Sequence, residues 1–245
     1  MSYYDHFAKQ DITFLGAALS AKKIKKNFDY IVKNLRFKHK DIDILEIGPG
    51  RGDLAVLFMD DGFINYDIVE PNNTMRDALK KKGIRSAKNY LIPQLNEADS
   101  SYDLILAFHV FEHLHNTYEA QVFISEIRRV LKDKGYVIIA CPDLTDCGFD
   151  FWNVDYTHSN PTSIRRTAQL LFDADIATIS WKYSYSCFEG LLGFLISRIV
   201  KMLTMFVHGE SFNSKLYKLR VTFLRQFMII GQVNGISNNL KDDVG

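Results

Sequence analysis

The sequence predicts an α/β fold: a mostly parallel sheet of seven strands with helices on both faces. Three observations carry this. From about Asp43 short β-branched runs alternate with amphipathic helical patterns. The run Tyr102-Asp-Leu-Ile-Leu-Ala-Phe108 is apolar on both faces, as a parallel strand covered on both sides must be. A glycine-rich turn, Gly48-Pro-Gly50-Arg-Gly52, joins the first such strand to the first helix.

In order, Ile42 to Ile47 is the first strand, followed by the glycine turn and a helix through Leu54 to Phe58. Tyr66 to Glu70 is the second strand, and Asn72 or Asn73 caps a helix that Gly83 ends. A third short strand fits near Ile84, and Tyr102 to Phe108 is the fourth. Asn116 or Thr117 starts a helix that buries Val122, Ile124, Ile127, Val130 and Leu131, with Glu119 three residues beyond Asn116 as in a capping box; Gly135 stops it. Tyr136 to Ala140 is the fifth strand, Asn160-Pro161 opens a helix to about Phe172, and Ile176 to Ser180 is the sixth strand. Helical patterns over about 188–207 and 212–224 form an insertion before the last strand, Phe227 to Val233. Residues 1–40 read as a helical N-terminal extension with Ser20 as N-cap, 41–236 as the main domain and 237–245 as a polar tail.

The chain has 245 residues, 47% of them hydrophobic, enough for a large core without disulfide or metal staples. Three cysteines with no CxxC pairing argue against a disulfide framework and a thiolate zinc site, and the polar N-terminal residues against a secretory signal; a cytoplasmic protein is expected. The net charge of +1 argues against nucleic acid as partner. That total hides an asymmetry: residues 1–40 carry +6, 41–187 carry −8 and 188–225 carry +4. The 188–207 stretch is too apolar for an ordinary surface helix, and Arg198 and Lys201 interrupt it before it could span a bilayer. Either it is buried in the fold or at a homodimer interface, or it lies peripherally on the inner membrane face with Arg198, Lys201, Lys215, Lys218 and Arg220 toward anionic headgroups.

The glycine turn reads Glu46-Ile-Gly48-Pro-Gly50-Arg-Gly52, and Asp53 stands where the third glycine of a dinucleotide fingerprint belongs. An acidic side chain there repels a pyrophosphate but suits a cationic ligand. Glu70, twenty residues beyond Gly50, can accept hydrogen bonds from two ribose hydroxyls. This pattern resembles motif I of the class I S-adenosylmethionine-dependent methyltransferases. The strand at Tyr102-Asp103 resembles that family's motif IV, and Leu131-Lys-Asp-Lys-Gly135-Tyr-Val-Ile-Ile resembles the approach to its fifth strand. The resemblance implies a Rossmann-like sheet with S-adenosyl-L-methionine as cofactor and S-adenosyl-L-homocysteine as product. It assigns Glu46, Gly48, Gly50 and Gly52 to the methionine half, Glu70 to the ribose, and the backbone of Phe108 and His109 to the neighbourhood of the methyl group. Many relatives carry Asp before the fourth strand; here Asn89 stands as acceptor for the adenine amino group and Tyr90 as a stacking face.

His109-Val-Phe-Glu112-His113 matches the inverted zinc-protease motif, but His109 directly follows a strand, so its ring and that of His113 need not share a helical face. No metal is expected. The same residues resemble the segment after motif IV in small-molecule methyltransferases, which implies that His113 faces the acceptor; the alternative is a packing role. Asp155-Tyr-Thr-His158 resembles a loop of the branch associated with bacterial surface glycans and lipids. There the Asp–His pair can orient an imidazole as general base; the alternative is a surface turn. The expected function is O-methylation of a sugar, a polysaccharide biosynthesis intermediate or a related metabolite, with His113 or His158 as base and Asp155 as orienter. The runner-up is a quinone- or lipid-type acceptor, and the reading of a different class is a non-catalytic cofactor-binding or partner module.

Overall fold

The computed structural model describes residues 14–35, 37–207 and 214–234. Helix α1 (Phe14–Leu35) precedes β1 (Ile44–Ile47), α2 (Asp53–Asp60), β2 (Tyr66–Val69), α3 (Asn73–Lys80), β3 (Ser86–Lys88) and β4 (Tyr102–Phe108). A single 3₁₀ turn (Phe111–His113) leads to α4 (Thr117–Val130), β5 (Leu131–Pro142), the short helices α5 (Leu144–Cys147) and α6 (Asp150–Asn153), and α7 (Ile164–Asp173). Strands β6 (Ile176–Tyr185) and β7 (Phe188–Glu189), helices α8 (Gly190–Leu203) and α9 (Lys215–Thr222), and β8 (Arg225–Val233) complete the described chain.

The sheet has eight strands in the order β3-β2-β1-β4-β5-β8-β6-β7, one more than expected because the two-residue β7 pairs with the end of β6. The pairings among β1 to β5 are parallel, while β8 runs antiparallel to both β5 and β6. Strand order reverses between β1 and β4, and the loops leaving both strands border one crevice, the place where open α/β sheets bind ligands.

The central strands are buried on both sides. On one face α4 and α7 supply Ala120, Phe123, Ile127 and Leu171 against Ile105, Val137 and Ile139. On the other, α1 and α2 supply Phe28, Ile31, Leu54 and Phe58 against Ile44, Leu104 and Ile138. Helix α1 is therefore a layer of the domain: the Phe28 ring meets the Phe58 ring edge-on at 5.1 Å.

Several local expectations are corrected. Ser20 lies inside α1, whose first turn starts earlier, and the third strand centres on Ala87 rather than Ile84. Asn72 and Asn116 do cap their helices, accepting from Met75 N and Glu119 N at 3.1 and 3.0 Å. Gly135 lies within β5, as does Lys134 at φ 63°, and α4 already ends at Val130. Asn160-Pro161 opens no helix; Ser163 is the N-cap of α7, accepting from Arg166 N at 3.3 Å, and Asn160 is buried with its amide donating to Phe111 O at 3.0 Å. The last strand begins two residues early, at Arg225.

Burial of the 188–207 stretch within the fold is also overturned. Only Gly193 and Ser197 of α8 are buried, while Leu191, Leu192 and Leu203 are 74%, 61% and 74% exposed. Arg198 and Lys201 turn inward to Asp146, Arg220 to Asp150 at 2.7 Å, and Arg225 to Asp143 at 3.1 Å, so these cations pin the insertion to the segment after β5. The exposed cations of α9 are Lys215 and Lys218, beside exposed Leu216 and Leu219. The expected polar tail lies outside the described residues.

Candidate functional site

A cavity of about 990 Å³ opens at the β1–β4 crevice and collects residues from both ends of the chain. Its floor is the glycine turn. Gly48 has φ 64°, and a Cβ there would lie 2.5 Å from Cγ2 of Val110, so a side chain would collide with the loop after β4. Gly52, also at positive φ, does not line the cavity; its absent side chain makes room for Leu79, which an added Cβ would meet at 2.0 Å. The missing side chain thus lets α3 pack on the turn.

Two buried carboxyls flank the turn. Glu46 accepts from the Tyr66 hydroxyl at 2.9 Å; burial raises its pKa to about 7 against that bond, and the charge of Asp53 adds to the rise. Glu70 follows β2, accepts from Asn72 N at 2.8 Å through Oε1, and is likewise raised by burial, with that bond and Arg76 opposing. Tyr90 lines the cavity and donates to Glu97 at 2.9 Å, whereas Asn89 is exposed and does not line it.

At the end of β4, Phe108 and His109 border the cavity. His109 adopts φ 54°, a strained value for a non-glycine residue, while its N–H donates to Ala140 O at 2.8 Å. Its Nδ1 donates to Glu112 Oε1 at 3.1 Å, so its Nε2 carries the lone pair that meets Lys23 Nζ at 3.5 Å. Burial works against the charge on Glu112, but the hydrogen bond from His109 and the nearby His109 and His113 charges outweigh it and hold the pKa down to about 2.

Another part of the cavity is built by docking the 155–160 loop onto the 3₁₀ turn, where Ser159 N and Asn160 N both donate to Glu112 O at 3.0 Å. This brings His158 beside His113, with ring centroids 4.8 Å apart. The expected Asp155–His158 pair does not form between side chains. Asp155 Oδ1 accepts from Thr157 N at 2.9 Å and from Thr157 Oγ1 at 2.7 Å, and Thr157 Oγ1 lies 2.8 Å from His113 Nδ1. Since the single hydroxyl proton of Thr157 goes to Asp155, His113 Nδ1 is the donor to Thr157, and the lone pair of His113 sits on Nε2. His158 instead donates through Nδ1 to Phe151 O at 2.6 Å and is buried against the Phe151 ring. Burial lowers the pKa of His113, with the charge of Glu112 opposing. Glu112, His113 and His158 bring one ligand-capable atom each within 4.8 Å of one another, whereas His109 turns to Glu112 and Lys23, so the inverted zinc-protease pairing of His109 with His113 is not formed.

The sequence reading missed the wall supplied by Ser20, Lys23, Ile24 and Asn27 of α1, the intermediary Thr157, and Gln226 of β8. Only the excess of basic residues near the N-terminus hinted at the first of these.

A family model described as a methyltransferase domain matches residues 4–190, from the wall in α1 through the glycine turn to the start of α8. The chain belongs to the methyltransferase-domain family. This methyltransferase uses S-adenosylmethionine, and the cavity fits it: the turn at Gly50, where a Cβ would meet no atom within 4 Å, leaves backbone free to approach a ligand, and Glu46, Glu70 and Glu112 offer carboxyls to a cofactor with cationic and hydroxyl groups. Among solved structures, a SAM-dependent methyltransferase from Archaeoglobus fulgidus is similar at 19% identity and TM-score 0.63, with 94% of this chain and 100% of that chain covered. Magnesium protoporphyrin IX methyltransferase from Synechocystis PCC 6803 is similar at 12% identity and TM-score 0.61, covering 94% and 93%. Geranyl diphosphate C-methyltransferase from Streptomyces coelicolor A3(2) is similar at 11% identity and TM-score 0.60, covering 86% and 79%. These likenesses concern the fold, and the acceptors named differ widely. No curated protein sequence matches the chain significantly.

Proposed function

We propose that this methyltransferase methylates a hydroxyl of a sugar, a polysaccharide biosynthesis intermediate or a related small metabolite, with His113 as general base. The observation that carries the reading is the Asp155–Thr157–His113 chain, which ends on the cavity that Gly48 and Glu70 also line. Hydroxyl protons leave water-like groups only well above neutral pH, so oxygen acceptors gain from a positioned base, whereas amines and thiolates need less help. The cofactor supplies an electrophilic methyl group. Glu46, Gly48 and Gly50 hold its methionine half and Glu70 its ribose. Tyr90 borders the adenine side, and the Phe108–His109 backbone lines the reacting end.

At that end Asp155 holds Thr157, and Thr157 holds the His113 ring in the tautomer whose Nε2 takes the acceptor proton. His158, anchored on Phe151, walls the ring from the other side and is a positioning residue. Replacing His113 by Ala should lower turnover about 10²- to 10⁴-fold while leaving S-adenosylhomocysteine affinity within about threefold. Unchanged turnover on a hydroxylated acceptor overturns the role.

The exposed apolar face of α8 favours a second reading, a quinone- or lipid-type acceptor collected at the inner face of a membrane. Val221 and Leu224, from α9 and the turn after it, line the same cavity, so the insertion joins the acceptor end to that face. No helix among the described residues is long and apolar enough to cross a membrane, and contact would be peripheral. Co-flotation with anionic vesicles, lost in a Leu191→Asp/Leu192→Asp variant, is the expected result. A concentration-dependent homodimer that these substitutions dissolve, without flotation, would assign the face to self-association instead.

A further inference from the structure

Lys23 differs from four other half-buried lysines among the described residues. Lys88, Lys132, Lys182 and Lys201 all touch a carboxylate: Glu97, Asp43 with Asp103, Glu189 and Asp146 respectively. Lys23 is half-buried in the cavity wall, yet among the described residues its ammonium meets the imidazole Nε2 of His109 and the amide oxygen of Gln226 and no other side chain. Among the described residues no carboxylate lies within ion-pair distance of it. A sheltered cation with neutral partners costs free energy that an anion placed beside it would recover.

We propose that Lys23 is an anion subsite that binds the carboxylate of the cofactor's amino-acid moiety. The inference rests on the cofactor assignment above. Lys23 sits beside the right part of the cavity: its contact His109 is followed in the chain by Val110, whose methyl group closes over Gly48. The cavity lining is otherwise rich in carboxylates, Glu46, Asp53 and Glu112 among them. Such a wall suits the ammonium and sulfonium of the ligand and repels its carboxylate unless a fixed cation answers it. The other lysine or arginine lining the cavity among the described residues, Arg51, is exposed. His109 transmits support from behind, because its Nδ1–H is held by Glu112 while its Nε2 faces the ammonium. Burial lowers the Lys23 pKa to about 8, the Glu112 charge opposing and the Lys182 charge adding, so Lys23 is mainly cationic at neutral pH.

The test compares binding of S-adenosylhomocysteine with binding of its decarboxylated analogue, measured by calorimetry on the full chain. Wild type should bind the former about 10- to 100-fold more tightly, the range of a charge-assisted hydrogen bond. Lys23→Met should weaken S-adenosylhomocysteine by that factor and leave the analogue unchanged, so that the ratio falls toward one; Lys23→Arg should retain most of it. Undiminished binding of the analogue reports that the variant is folded. A wild-type ratio near one, or a ratio undiminished in Lys23→Met, overturns the subsite alone. Failure of wild type to bind either compound overturns the cofactor assignment and the subsite with it.

Discussion

His113 shows how far a residue's role depends on one intermediary. Its pKa is lowered by burial, with Glu112 and Asp155 opposing and His158 adding to the fall. As a base it must be neutral, so kcat/KM should rise with pH through a midpoint below 6.5 and be flat above it. Thr157→Val removes the link to Asp155 and frees the ring to adopt the other tautomer, so it should lower the plateau by roughly 10-fold or more. A plateau unchanged in Thr157→Val would show that the chain of hydrogen bonds does not orient the base. Local geometry carried by consecutive residues was legible in the sequence, as at Glu46-Ile-Gly48-Pro-Gly50, because strand, turn and helix follow one another there without long-range help. The partner of Asp155 was not. Spacing favoured His158, but the Thr157 hydroxyl, two residues from Asp155, captures the carboxylate first and passes it to His113, 44 positions upstream of Thr157. Lys23 was hidden for the same reason, its contacts lying 86 and 203 residues away in the chain.

Among the elements, α8 departs most from what its composition suggests. An apolar helix ordinarily seeks the core, and the sequence left open whether this one was buried, dimeric or on a membrane. It docks instead through a narrow strip, Gly193 and Ser197, because Gly193 permits close approach to β6 and β7. A Cβ there would lie 2.9 Å from Tyr185 Cδ2 and 3.0 Å from the Phe188 carbonyl carbon. Arg198 and Lys201 add an ionic attachment to Asp146, so steric fit and charge together hold a helix whose apolar side stays mostly outside. Gly193→Val should therefore destabilise the docking by about 1–3 kcal/mol. Hydrogen exchange should accelerate across 190–203 while the amides of β1 and β4 keep their protection and S-adenosylhomocysteine binding is retained. Equal acceleration in the central strands would mean that α8 is part of the folding core rather than attached to it.

At the scale of the whole molecule, β1, β4 and β5 were readable because each carries a mainly apolar run between helical patterns, whereas the short β3, Ser-Ala-Lys, was misplaced. The N-terminal layer was not readable, since amphipathicity says that α1 has a buried face without saying what covers it. The structure resolves this in favour of integration: Phe28, Ile31 and Leu35 belong to the same buried cluster as Phe58, Ile68 and Leu104, and the same helix walls the cavity with Lys23 and Asn27. Core and site are thus coupled through α1, and a defect in its packing should be felt at both. Ile31 is fully buried, and Ile31→Ala should lower the stability of the domain by about 2–5 kcal/mol. The loss should be seen as one cooperative transition moved to lower temperature, with S-adenosylhomocysteine affinity reduced because the wall at Lys23 loosens. Saturating ligand should raise the variant's midpoint, since binding is linked to the native state alone. If calorimetry instead resolved an early transition for α1 and an undisturbed later one for the sheet, with ligand binding surviving the first, the N-terminal helix would be an appendage and the site complete without it.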